Sequence, residues 1–433
     1  MKLWHVPHAG TAVPPGGMAV LFVSGHFSIL KTVRCMCFVF SSKGGSTMLK
    51  TKIGYSQNPD SFSSGAETAA KAEFAEAKVG LLFTSVVLDQ AEVVKGIRSV
   101  SKTHILGCTS SAAICVHDGY LNSPDGYSGI MAFGGDVEVG VAGAAKQEGE
   151  CARAIGRKLA EQALAELGGR KPNYFFMTAS PAEEEKYIAG IQDVIGNVPV
   201  FGGSAADNTV EGKWSIICDD KIFADGCAIA LFASEAPMVN LYTGQYRETD
   251  NVGVISKVVN DRTLVEIDGV PAVKKYCEWT GKKEEEVAGG NLLAATIFAP
   301  LGVKDPIGRL TAIRHPMAAN EDLSMNIGAK LEEKTAIIQM ELTPDEMIAA
   351  NPKTIKAVDE KIGGADSFFL VHCGGRRLGL QLEAKEEGIY PAVKEVTGDR
   401  EFLMVFTFGE YGTAEHSANT VGGLSLSFTG FKA

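Results

Sequence analysis

Four glycine-rich segments carry residues that could do chemistry, and each directly follows an apolar run. The first is Gly107-Cys108-Thr109-Ser110-Ser111. Small residues there let main-chain N–H groups face a ligand, and the hydroxyls add donors and acceptors. The plainer reading is a tight strand-to-loop turn. The second is Phe201-Gly202-Gly203-Ser204-Ala205-Ala206-Asp207. Paired glycines permit close approach of a ligand or of another backbone. Asp207 suits a ligand amine or an Asx turn. The pattern lacks the G-x-G-x-x-G spacing, so it gives dinucleotide binding little support.

The third segment is His372-Cys373-Gly374-Gly375-Arg376-Arg377. Two arginines behind a glycine pair could hold a carboxylate through forked hydrogen bonds. Alternatively they open an exposed helix, one of them pairing with a surface acid. The fourth is Gly409-Glu410-Tyr411-Gly412, followed by His416, Asn419 and Thr420. Glu410 could accept an ammonium, act as a base, or simply end a strand. Arg376 or Arg377 with Glu410 would suit a zwitterion. A nucleophilic Cys108 or Cys373 would need a lowered pKa and a base such as His372, His117 or His416, and no local signature marks one. Gly134-Gly135-Asp136-Val137-Glu138 is superficially similar to the GGDEF signature of diguanylate cyclases, without the residues that surround that signature.

The elements that must position these segments follow a strand–helix rhythm. Val79–Leu88 reads as a strand, and Asp89 caps a helix over Gln90–Ser99. Thr103–Leu106, Gly129–Phe133 and Val137–Ala142 are further strands. Glu148–Leu167 is a helix with Ala152, Ile155, Leu159, Ala163 and Leu167 on one face, ended by Gly168-Gly169. Strands at Tyr174–Thr178 and Val198–Phe201 flank a helix at Ala182–Ile195. Trp214–Cys218 and Cys227–Phe232 read as one antiparallel hairpin. Val254–Val259 and Thr263–Ile267 flank the turn pair Asn260-Asp261. Asp268-Gly269 is another turn, and Pro271 suits the first turn of the next helix. Thr343 caps a helix from Pro344 to about Lys361, with Glu346 at the capping-box position. Ser367–His372 and Phe402–Phe408 are apolar strands, and Leu424–Phe428 is the last. The expected class is α/β in the mixed sense: two domains, mixed sheets and flanking helices. The junction is expected near Tyr246–Val252, dividing 48–250 from 251–433, and no internal repeat is obvious.

Composition narrows the function. The chain has 433 residues, a net charge of −11 and 45% hydrophobic content. An acidic surface repels phosphate backbones, so no nucleic-acid partner is expected. The nine cysteines form no C-x-x-C pair and have no histidine at zinc spacing, which fits a reducing cytoplasm and no metal. Residues 1–47 stand apart, with four Lys/Arg and no acid, leaving 37 basic against 52 acidic residues beyond them. Their apolar stretch from Met18 to Phe40 is broken by His26, Lys31 and Arg34, so no membrane span is expected. Lys43-Gly44-Gly45 can be encoded by a ribosome-binding site ahead of Met48, so 1–47 is expected to be translated upstream sequence or a disordered extension.

The ordered motifs resemble the FIST family over about 350 residues. LGCTSSAAI (Leu106–Ile114), VPVFGGSAADN (Val198–Asn208) and WSIICDDKIFADGCAIALF (Trp214–Phe232) are similar to its N-terminal domain. RTLVEIDGVPAVKKY (Arg262–Tyr276), FAPLGVKD (Phe298–Asp305), HCGGRR and GEYGTAEHSANT (Gly409–Thr420) are similar to its C-terminal domain. The resemblance implies an intracellular sensory protein that binds a small polar ligand, an amino acid being one candidate, and signals through a partner protein. It implies no cofactor and no defined catalytic residue. The expected ligand-binding set is Cys108, Thr109, Ser110, Ser111, Gly202, Gly203, Ser204, Asp207, Cys373, Arg376, Arg377, Glu410 and Asn419. An enzyme using Cys108 or Cys373, a hydrolase or transferase, is the alternative. A ligand-free interaction scaffold is a third.

Overall fold

A computed structural model describes residues 48–413 and 418–433. The expectations for residues 1–47 and for His416 therefore lie outside the described residues.

The chain folds into a mixed α/β architecture, and its body repeats one plan three times. Each repeat contributes four long strands to one sheet. In the first they are Leu49–Ser56, Val79–Thr84, His104–Thr109 and Ser128–Gly135. In the second they are Glu138–Ala145, Tyr174–Ala179, Val200–Gly203 and Gly226–Ala233. In the third they are Met238–Thr243, Ser367–Cys373, Glu401–Thr407 and Leu426–Phe431. Each sheet runs first–fourth–second–third. The second and third strands are parallel, and the other pairings are antiparallel.

Between the third and fourth strands each repeat carries a short hairpin, and each hairpin joins a neighbour's sheet. The first repeat's hairpin, Ile114–Val116 with Gly119–Leu121, pairs with Glu401–Thr407 of the third. The second's, Ile216–Cys218 with Lys221–Phe223, pairs with His104–Thr109 of the first. The third's, Glu410–Thr413 with Asn419–Gly422, pairs with Val200–Gly203 of the second. Three main-chain bonds close this cycle. Ser111 N donates to Phe406 O at 2.8 Å, Ala206 N to Thr109 O at 3.0 Å, and Phe408 N to Ser204 O at 3.4 Å.

Burial explains why the central strands read as continuous apolar runs. One face of each sheet meets a shared core that includes Phe83, Phe176, Phe201, Phe369 and Phe431. The aromatic rings there meet mostly edge to face, a favoured geometry. The other face is covered by helices, through separate clusters around Val93 and Ile97, Leu159 and Ile191, and Met347 and Val358. Strands buried on both faces lose the period-2 alternation.

Local signals place the helices. Asp89 accepts the N–H groups of Ala91 and Glu92 ahead of helix Gln90–Val100. Thr343 and Glu346 form the capping box of helix Pro344–Ile362. Such caps stabilise a helix by about 1 kcal/mol each. Asn260 and Asp261, both at positive φ, join strands Arg247–Val259 and Thr263–Ile267.

Three expectations are corrected. Trp214–Cys218 and Cys227–Phe232 do not form one hairpin. Asp219, at φ 52, turns the chain directly after Cys218, so Ile216–Cys218 pairs with Lys221–Phe223 while Gly226–Ala233 enters another sheet. The internal repeat, unexpected from sequence, is hidden by an insertion after Met238–Thr243. That insertion forms its own antiparallel sheet from Arg247 to Glu341, with a separate core around Ile255, Tyr276, Leu301 and Ile337. His372–Arg377 opens a helix, Gly374–Leu382, whose arginines are buried rather than exposed. The expected junction at Tyr246–Val252 falls at the start of the insertion, and the described residues cluster as one compact unit.

Candidate functional site

The parallel pairs of the second and third repeats end side by side, and the insertion closes over them. Between body and insertion lies a pocket of about 280 Å³, near the small end of the ~300–1,000 Å³ typical of ligand sites. Its position outside the carboxyl ends of parallel strands is where open α/β sheets bind ligands. The body supplies Ser111, Asn208, Trp214, Cys373, Gly374, Gly375, Arg377, Leu378 and Phe408. The insertion supplies Arg262, Leu293, His315, Met317, Ile327 and Gly328.

Threefold equivalence accounts for several of these residues. Ser85, Ser180 and Cys373 occupy one position: each N–H leaves the end of its repeat's second strand and bonds the carbonyl of Tyr127, Gly226 or Ser425. The residues after two of them, Pro181-Ala182 and Gly374-Gly375, line the pocket. Ser111 and Phe408, members of the ring of main-chain bonds, line it too. The glycines keep the space open. A Cβ at Gly374 would stand 3.3 Å from the Ser111 Cβ, and one at Gly375 3.4 Å from the His315 Cε1.

The polar groups are individually fixed. Arg262 donates to Gly328 O at 2.7 Å, Glu184 Oε2 at 2.7 Å and Glu185 Oε2 at 2.5 Å. Burial raises the Glu184 carboxyl against the opposing pull of Arg262. His315 Nε2 bonds Leu293 O at 3.0 Å, so the ring donates there and keeps Nδ1 as an acceptor. Burial lowers its pKa to about 4, so it is neutral at pH 7. Arg377 Nη1 donates to Glu386 Oε1 at 2.6 Å, while its buried Nε has no partner among the described residues.

Of the expected site residues, the structure brings Ser111, Cys373 and Arg377 to the pocket. The others serve the fold. Cys108 is buried, and burial pushes its thiol up to about 12. Thr109 Oγ1 accepts Ser215 N, and Ser110 Oγ bridges Ala113 O and Phe406 N. Gly202 lets its strand approach Met177 O at a positive φ, and Gly203 faces Thr407 and Gly409. Ser204 Oγ donates to Glu184 and meets Tyr411 OH. Asp207 gathers the N–H groups of Thr209, Val210, Glu211 and Lys213, an anchored turn. Asn419 ties Val198 O and Val200 N.

The Arg376–Glu410 clamp is not formed. Arg376 is fully buried and donates to the carbonyls of Gly244, Leu424 and Met347. Glu410 is buried against Ser425 N and Thr407 Oγ1, and burial pushes its pKa up to about 8. Cys373 Sγ accepts Leu424 N at 3.2 Å, and burial pushes this thiol up as well. His372 turns Nδ1 to Cys373 O, away from the thiol.

Sequence reasoning missed Trp214, Arg262, His315 and Met317. No local motif announces them, because the pocket forms only when the insertion meets the body. Among the described residues seven cysteines are unpaired, no group of three or more His, Cys, Asp or Glu could hold a metal ion, and no helix is long and apolar enough to cross a membrane.

A protein of Methanocaldococcus jannaschii, "Uncharacterized protein MJ1623", is 23% identical over 329 residues, covering 69% of this chain. The chain spans 60% of that relative's length. Residues 78–270 match the FIST N domain and residues 272–413 the FIST C domain. With most of its length matched in the order expected, the chain belongs to the FIST family, whose domains are generally sensory and signal-transducing.

Proposed function

We propose that this chain is a sensor whose small ligand binds in the pocket between the threefold body and the insertion. One observation carries the reading: the pocket is lined from both the threefold body and the insertion, which has a core of its own around Ile255 and Leu301 and also shares a cluster with the body through Ile297, Ile313 and Met340. A ligand touching both walls favours their closed arrangement by its differential affinity. A partner protein that reads the insertion would carry the signal onward. The seven cysteines unpaired among the described residues support a cytoplasmic setting. An amino acid remains a candidate ligand, held by Arg377 and Ser111 rather than by Arg376 and Glu410.

A covalent reading has one observation in its favour, the Cys373 thiol at the pocket wall. Its raised pKa opposes nucleophilic use. A metabolite screen by thermal shift tests the sensor reading, because a ligand that binds only the native state raises its melting temperature. Intact mass after incubation with a hit separates the two readings: a reversible ligand leaves the mass unchanged.

A further inference from the structure

The charged groups of the pocket wall are already matched. Arg262 and Arg377 line the space. Glu184 and Glu185 pair with Arg262, and Glu386 pairs with Arg377. Among the described residues no Asp, Glu or Lys lines it. A carboxylate or an ammonium entering there would leave water without gaining a free counter-charge, which is costly. An amino-acid zwitterion would need two.

Size and lining favour a flat apolar body instead. Leu293, Ile327 and Leu378 join Trp214, Met317 and Phe408 in the wall. Trp214 and Phe408 meet edge to face, with centroids 6.1 Å apart and planes at 88°. Aromatic rings and a methionine sulfur both favour contact with a further ring. The volume, about 280 Å³, is nearly twice the ~150 Å³ of a cavity that takes benzene. That is room for two fused rings.

The same wall holds an unpartnered polar atom. His315 lines the pocket and is 4% exposed. Its Nε2 donates to Leu293 O, and its Nδ1 has no partner among the described residues. A Cβ at Gly423 would stand 3.1 Å from the His315 Cβ, and one at Gly375 3.4 Å from its Cε1. Nδ1 lies on the ring edge between those two points. That edge runs along two glycines of the pocket lining, which carry no side chain to cover it. His372 also has an unpartnered ring nitrogen, but that one is sealed in the core. A bare buried acceptor is costly until a donor reaches it.

Resting on the sensor reading, we propose that the ligand is an uncharged molecule of two-ring size with one N–H or O–H donor, its apolar body against Trp214, Met317 and Phe408 and its donor on His315 Nδ1. The test uses matched probes. Indole is set against benzofuran, which has the same shape without the N–H. Indole-3-acetamide is set against indole-3-acetate, tryptamine and tryptophan. Calorimetry on the full chain should show indole binding at least about fivefold tighter than benzofuran, the gain expected for one buried hydrogen bond. The acetamide should bind at least about tenfold tighter than each of the three charged probes. In His315→Phe, checked by melting for an intact fold, indole should fall to the affinity of benzofuran while benzofuran keeps its own. If that variant does not fold, the wild-type comparison of indole with benzofuran decides alone. Benzofuran binding as tightly as indole would overturn the His315 assignment. A charged probe binding as tightly as the acetamide would overturn the uncharged class while leaving the pocket reading in place. No binding by any probe would overturn the proposal as a whole, and the broader metabolite screen then decides the pocket reading independently.

Discussion

The N–H of Ser111 donates to the carbonyl of Phe406 at 2.8 Å, joining the first repeat to the third. With the equivalent bonds from Ala206 and Phe408 it makes the three repeats a closed ring, in which every sheet is completed by another repeat's hairpin.

That closure predicts that 48–250 will not fold alone. Such a fragment lacks the strands Glu410–Thr413 and Asn419–Gly422 that complete its second sheet. It also leaves the Ile114–Leu121 hairpin with no sheet to join. Open edges and exposed core would leave it aggregated or loosely collapsed. Amide dispersion in a proton–nitrogen NMR spectrum checks this, and a dispersed, cooperatively melting fragment would contradict it.

Arg376→Ala should destabilise the protein by roughly 3 kcal/mol or more, because three buried carbonyls lose their donor. Denaturant unfolding measures the change. A variant of unchanged stability would mean that those bonds do not hold the Gly374–Leu382 helix in place.

The pH dependence has a definite sign at His372. Burial lowers its folded pKa to about 3, against about 6.5 unfolded. The unfolded chain therefore takes up a proton first as pH falls, and stability is lost between about 6.5 and 3. Glu410, raised to about 8, acts oppositely: the folded chain holds its proton longer, so stability falls as pH rises from the unfolded carboxylate range to about 8. Comparing His372→Phe with wild type cancels the Glu410 contribution. The variant also removes an unpartnered Nε2. Its stability should fall with acid more gently, by about 1.4 kcal/mol per pH unit between 6 and 4. Parallel pH profiles would show that His372 does not titrate this way.

Much of the fold was legible where local physics decides it. Asp89, the Thr343–Glu346 box and the Asn260-Asp261 turn each act within a few residues. The buried strands announced themselves as apolar runs. The repeat did not, because equivalent positions hold different residues, as Ser85, Ser180 and Cys373 do, and because the insertion separates Met238–Thr243 from the rest of its repeat. The site was legible only in part. Ser111, Cys373 and Arg377 lie in glycine-rich strand ends, which is a sequence signal. Trp214, Arg262 and His315 become neighbours only through tertiary packing. Arg376 and Glu410 were misread for the same reason: their types suit a ligand, but burial gave them carbonyls and a main-chain N–H instead.

The central claim is that a small ligand sits between body and insertion, and Gly375→Val tests it most directly. The added side chain would crowd His315 and Leu424 and narrow the pocket at its wall. Calorimetric affinity should be measured for the strongest thermal-shift hit, in wild type and in this variant, with melting as the folding control. The account predicts an affinity at least about tenfold weaker in Gly375→Val with the fold retained. Equal affinity in both proteins would place the ligand elsewhere and contradict it.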